Sequence, residues 1–195
     1  MSDASDTRQR LVRAAEQLFR VQGYSGTGLK QLTAEAEPPW GSLYHFFPAG
    51  KAALGAEAAR YAGELYADGW RRAFEQATTA GEAVERIFRA EARILESSDY
   101  RNGCPIASTT LDVASVDDGL RRACAAAFER WIDAIMEGLE AHGAPPHAAR
   151  PLALFILSTI EGAITVARAA KDPAALIESG HFTRDAVDRA AVDWA

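Results

Sequence analysis

Trp40, Gly41, Ser42, Tyr44 and His45 bring small, aromatic and hydrogen-bonding side chains together directly after two prolines, Pro38 and Pro39. If Pro39 opens a helix, where its missing N–H costs nothing, then Leu43, Phe46 and Phe47 turn inward and the others are left for solvent or a ligand. Small residues at the start of such a helix admit close approach to base edges in a DNA major groove, and flanking donors hold phosphate oxygens. Gly41 and Ser42 suit the first task, and Tyr44 and His45 the second. Lys51 adds a charge at the start of the next helix, while Thr27 places a hydroxyl at the N-terminus of the preceding one, where anions are favoured. With Lys30 on an outward face and Pro39 and Trp40 at the turn, these residues form the candidate DNA-contacting set. The competing reading makes Tyr44 and Trp40 partly buried packing aromatics and His45 an ordinary surface residue.

No other constellation points to chemistry of comparable definition. Cys104 and Cys124 have neither metal-ligand nor disulfide-framework spacing, and His45, His142, His147 and His181 form no His-x-x-x-His pair. No nucleophile, base and orienting group recur at a recognisable spacing, and there is no glycine-rich phosphate loop. The expectation is therefore no catalytic site, no metal and no cofactor.

A net charge of −6 over 195 residues argues by itself against a nucleic-acid partner, but its distribution argues for one. Residues 7–52 carry +3 and residues 53–195 carry −7. A mildly basic head can approach phosphate while an acidic body keeps the molecule in solution. Hydrophobic residues make up 48% of the chain, enough for a proper core, yet no apolar run reaches the roughly 18 residues of a spanning helix. The first ten residues lack the basic-then-apolar order of a signal peptide. A cytoplasmic protein without membrane contact is expected.

The elements that must position these residues are helices. Leu11, Ala14, Ala15, Leu18 and Phe19 predict a helix over 7–21 that Gly23 stops. Thr27 is placed to cap a short second helix carrying Leu29, Leu32 and Ala36, which ends where Pro38 biases Glu37 toward extended backbone. Helix, proline turn and helix then complete the head. Amphipathic spacing predicts further helices over 51–77, 80–97 and 106–114, with Pro105 at the start of the last; Asp117 caps another that runs to the turn His142-Gly143-Ala144-Pro145-Pro146. Two final segments follow over 151–170 and 173–194, the second continuous or broken at Gly180. The fold class expected is all-α, with a three-helix head over 1–52 and a helical bundle over 53–195.

The sequence Gly41, Ser42, Leu43, Tyr44, His45, Phe46, Phe47 followed by Lys51 resembles the helix-turn-helix of the TetR family of bacterial transcriptional regulators. Asn102-Gly103-Cys104-Pro105-Ile106 and Glu161-Gly162-Ala163 look like features of its LmrA-like branch. Trp40 stands where many relatives have a basic or polar residue, and Glu37 replaces the usual turn glycine. The resemblance implies a homodimeric repressor that leaves a palindromic double-stranded operator when a small effector binds. It also implies a dimer interface built from the last two helices, within 148–194.

The segment 151–170 supports that partner independently, because Leu152, Leu154, Phe155, Ile156, Leu157 and Ile160 make it apolar around most of its circumference. A helix central to its own bundle would look the same. Candidates for lining an apolar effector pocket are Tyr61, Phe88, Cys104 and Ile106, then Phe128, Trp131, Phe155 and Thr159. Each has core packing as its competing reading. Glu161, a carboxylate in an apolar helix, must pair with an arginine or hydrogen-bond a ligand. Two other functional classes stay open on the same residues: a constitutive DNA binder without a ligand switch, and an enzyme on a helical scaffold.

Overall fold

A computed structural model describes residues 2–36 and 42–194, and within these ranges every regular element is a helix. In chain order they are α1 (Ser2–Gln22), α2 (Leu29–Ala36), α3 (Ser42–Phe46), α4 (Lys51–Glu75) and α5 (Ala80–Ser97). They continue as α6 (Pro105–Val113), α7 (Asp118–Ala141), α8 (Pro146–Ala170) and α9 (Ala174–Ala191). The chain forms two compact units: residues 1–64 with 104–128, and residues 65–103 with 129–195.

In the first unit the core is built from Leu11, Ala15, Leu18 and Phe19 of α1, Leu32 of α2, Leu43 and Phe47 around α3, and Leu54 and Ala58 of α4. These are the inward positions that a 3.6-residue period selects. Helix α1 begins earlier than the periodicity predicts, at Ser2 rather than Thr7, and ends at Gly23, whose φ of +78° continues no right-handed helix. Cys104 caps α6 by accepting the Ala107 N–H on Sγ at 3.2 Å, with Pro105 at the first helical position. Asp117 caps α7 as expected, its carboxylate accepting the Leu120 N–H at 2.9 Å.

In the second unit α5 packs along α9, and α8 packs on both. Thr79 and Glu82 start α5 by a capping exchange: Thr79 Oγ1 accepts the Glu82 N–H at 3.1 Å, and the Glu82 carboxylate accepts the Thr78 N–H at 2.7 Å. On the α5–α9 seam the buried Glu85 carboxylate accepts from Arg89 at 2.8 Å and Arg184 at 2.6 Å, and these guanidiniums hold it below the usual carboxylate pKa. Helix α9 runs unbroken through Gly180, which lies where a Cβ would stand 2.8 Å from Phe88 Cβ. The glycine is there to let two helices touch rather than to end one.

Helix α8 begins five residues earlier than predicted, at Pro146, and contains Pro151. A proline inside the second turn of a helix removes one backbone bond, but Pro151 lies on the exposed side, where water can satisfy the carbonyl left over. Ala153, Ile156, Leu157, Ile160, Ala163, Ile164 and Ala167 are buried, and Leu154, Phe155 and Val166 form an outer apolar strip on the opposite side, 44%, 48% and 58% exposed. Helix α9 adds Phe182, also exposed. Among the described residues α8 is long and apolar enough to cross a membrane by composition alone, and its inner face is packed within the protein.

Candidate nucleic-acid interface

The head places a short helix on a firm base. Leu43 and Phe47 are buried, the Phe47 N–H donates to the Leu43 carbonyl at 2.7 Å, and the Arg8 guanidinium lies over the Phe47 ring at 5.3 Å from its centroid. Arg8 is held in turn by Glu57 at 3.1 Å. Gly50, with φ at +69°, donates to the Phe47 carbonyl at 2.8 Å and accepts from Leu54 at 3.2 Å, turning the chain into α4.

On this base Tyr44 is 60% exposed and His45 is exposed, with its ring edge-on to Phe46 at 4.9 Å. Lys30 on α2 is exposed as well. These three present donors outward, as the sequence predicts of their positions. Pro39, Trp40 and Gly41 lie outside the described residues, as do Glu37, Pro38 and the side chain of Ser42.

Thr27 and Lys51 are placed differently from their expected roles. Thr27 is buried, its hydroxyl donating to the Gly23 carbonyl at 2.7 Å and accepting from Gln22 Nε2 at 3.3 Å. Helix α2 instead starts on the Gly28 carbonyl, which accepts the Gln31 and Leu32 N–H groups at 3.1 Å. The nearer carbonyl of Gly23 outcompeted the open helix end for the threonine hydroxyl. Lys51 is half-buried; its ammonium donates to the Tyr24 carbonyl at 2.5 Å and sits 4.1 Å from the centre of the Tyr24 ring. Burial lowers the Lys51 pKa, and the nearby Asp112 carboxylate opposes the shift. Burial and then Asp117 push the Tyr24 phenol up, which keeps a neutral ring beneath the cation.

Sequence reasoning missed the ties that shape this surface. Gln22 Nε2 donates to Gln31 Oε1 at 2.6 Å and to the Gly26 carbonyl at 2.9 Å, clipping α2 to the end of α1. Arg10 pairs with Asp6 at 3.3 Å and reaches the Ala36 carbonyl at the end of α2 at 3.4 Å. Asp112, from α6, accepts the Ser25 N–H at 2.7 Å. None of these partners shares a motif, so only the folded chain reveals them.

The candidate effector residues divide between the units. In the first unit Tyr61 packs against the head core, Cys104 and Ile106 are buried at the start of α6, and Phe128 is half-buried. In the second, Phe88 is fully buried against Gly180, and Trp131 is buried in an aromatic cluster with Tyr66 at 5.3 Å and Trp70 at 5.4 Å. Thr159 and Glu161 are half-buried on α8, the Thr159 hydroxyl donating to the Phe155 carbonyl at 2.8 Å. Phe155 stands on the outer strip of α8 rather than on its buried side.

Comparison with known proteins agrees with this geometry. Residues 11–58 match the family described as bacterial regulatory proteins, tetR family, and residues 80–181 match the C-terminal domain of LmrA/YxaF-like transcriptional regulators. The chain is similar to the HTH-type transcriptional regulator YxaF of Bacillus subtilis, with 30% identity over 91% of this chain and 93% of that one. An HTH-type transcriptional regulator of Mycobacterium tuberculosis is 35% identical over 85% of this chain and 86% of its own length. Among solved structures, a TetR transcriptional regulator from Chloroflexus aurantiacus superimposes with a TM-score of 0.79 at 26% identity, covering 97% of this chain and 98% of that one. The regulator CifR, solved on a 26-base-pair operator duplex, has the same fold, with a TM-score of 0.73 at 22% identity over 96% of each chain.

Proposed function

We propose that this chain, which belongs to the TetR family of DNA-binding transcriptional regulators and to its LmrA/YxaF-like branch, is a homodimeric repressor released from a palindromic operator by a small hydrophobic or amphipathic ligand. The observation that carries the DNA-binding face is α3: its inner side is locked by Leu43 and Phe47, and it turns Tyr44 and His45 to solvent. Lys30, Tyr44 and His45 are the proposed phosphate and base-edge donors of the described residues. Pro39, Trp40, Gly41 and Ser42 belong to the same proposed face by their place in the chain. Thr27 and Lys51 serve it from within, fixing the turn between α1 and α2 and the start of α4. On this reading residues 1–52 are the DNA-binding domain and 53–195 the ligand-binding and dimerisation domain, and the protein acts in the cytoplasm as a regulator rather than as an enzyme.

The outer strip of α8 supports the dimer. Leu154, Phe155 and Val166, with Phe182 of α9, are large apolar side chains that a two-fold partner would bury. A dimer is also what reading two half-sites about 34 Å apart requires. Phe155 is therefore assigned to the dimer face, and the effector is proposed to meet Trp131, Thr159 and Glu161 in the second unit. A hundredfold loss of operator affinity needs a coupling of about 2.7 kcal/mol between effector and DNA, which a few rearranged apolar contacts can supply.

The test is to select duplexes from a random pool with the purified protein, titrate the enriched sequence by anisotropy, and screen compounds for release. Enrichment of an inverted repeat and its release by a compound seen to bind in calorimetry is the expected outcome. Failure to enrich any sequence overturns the reading, and compounds that bind while leaving operator affinity unchanged leave a constitutive DNA binder.

A further inference from the structure

Helix α6 ends in a way its own sequence does not favour. Asp112 stands in the last turn of Pro105–Val113, and a carboxylate there faces the negative end of the helix dipole, an arrangement that costs up to about 1 kcal/mol. A local rule broken in this way calls for a compensating tertiary contact. The contact is the Ser25 N–H, which donates to Asp112 Oδ2 at 2.7 Å from a position 87 residues earlier in the chain. Such a charge-assisted bond to a backbone amide is among the stronger ones available.

The turn between α1 and α2 is shaped to receive it. Gly23 has φ at +78°, and a Cβ built there would stand 3.1 Å from the same Asp112 oxygen. Glycine thus meets two demands at one position, a left-handed backbone and room for the carboxylate. From the other side Lys51, at the start of α4, donates to the Tyr24 carbonyl at 2.5 Å. The Thr27 N–H donates to that same carbonyl at 3.1 Å, and α2 begins two residues later. Residues 24 and 25 are therefore held by α4 and by α6, and the next bond in the series leads into α2.

We propose that Asp112 is a positioning residue for operator binding: by holding the Ser25 amide from α6 it sets the turn that carries α2, so DNA affinity depends on a carboxylate that does not itself touch DNA. The proposal rests on the DNA-binding reading above. It predicts that the parent's Ser25 amide is strongly protected from hydrogen exchange although Ser25 and Gly26 are both exposed. Asp112→Ala should abolish that protection, leave the amides of α5 and α9 unchanged, and weaken binding to the duplex selected by the parent about tenfold, the effect of losing one charge-assisted hydrogen bond. Asp112→Asn keeps an acceptor oxygen and should restore affinity to within a few fold.

An unprotected Ser25 amide in the parent overturns the proposal without any variant. So does parent-like affinity in a folded Asp112→Ala protein, an Asp112→Asn protein as weak as Asp112→Ala, or a loss of affinity accompanied by faster exchange throughout the α1 and α4 core, which would make Asp112 a general stabiliser only. If the parent selects no duplex, the DNA-binding reading fails by itself, and the exchange data still decide whether Asp112 holds the turn.

Discussion

Glu16 is buried in α1, and burial raises its carboxyl pKa from the ordinary value of 4.5 while Arg20, 3.8 Å away, lowers it. Because the folded-state value lies above the unfolded one, the carboxyl costs nothing while it is protonated in both states. The penalty appears as pH rises past 4.5 and is complete above the raised folded value. Arg20→Leu removes the nearest cation, so the destabilisation should be about 1–3 kcal/mol at pH 8 and smaller at pH 5. Thermal denaturation at the two values checks this, and equal losses would show that Glu16 is not the cause. The two lysines of the head separate by the same logic of surroundings. Exposed Lys30 should, when changed to Ala, flatten the salt dependence of DNA binding by about 0.9 in log–log slope with stability within about 0.5 kcal/mol of the parent. Lys51→Ala should lower stability as well, because its ammonium bonds the Tyr24 carbonyl. A salt titration paired with urea denaturation distinguishes them.

At the scale of the helix, Gly180 shows two effects of opposite sign. Alanine is about 1 kcal/mol better than glycine in a helix interior, yet here its Cβ would stand 2.8 Å from Phe88 Cβ, closer than real carbon contacts come. Overpacking costs about 1–3 kcal/mol and should win, so Gly180→Ala is expected to lower the unfolding midpoint. A rise in the midpoint would mean that α5 and α9 can separate without loss. This glycine also shows what the sequence makes legible. The apolar spacing of α4, α5 and α7 is readable because each has one buried side, and a capping residue such as Asp117 acts within three positions of the helix start. Whether Gly180 breaks α9 is unreadable, since the answer lies in Phe88, on another helix. Pro151 misleads for a related reason: proline reads as a helix start unless one knows that its turn faces water. In the candidate site, Tyr44 and His45 are legible as the outward positions between Leu43 and Phe47, whereas Asp112 meets Ser25 only after the chain has folded. Thr27 fails as a cap because a closer carbonyl was available, which spacing alone does not reveal.

For the whole molecule the surface that tests the proposed dimer is the outer strip of α8. If the proposed dimer forms through this strip, Phe155→Glu would set two like charges in its interface and should leave a folded monomer at micromolar concentration, losing operator affinity more than a hundredfold because half-sites would be read singly. Sedimentation velocity with parallel anisotropy checks this; a variant that remains dimeric places the interface elsewhere. The acidic charge of residues 53–195 keeps such a monomer soluble enough to be measured. The burial of Cys104 and Cys124 has a practical corollary for watching the head at work. Both thiols are covered, and burial pushes the Cys124 thiol toward its unreactive protonated form. A cysteine introduced for Leu111, which is 87% exposed next to Asp112, would be the one thiol at the surface of the native protein. A maleimide dye would then mark the end of α6 in an otherwise unaltered chain, so the protein already has the background that single-site fluorescence normally requires engineering to create.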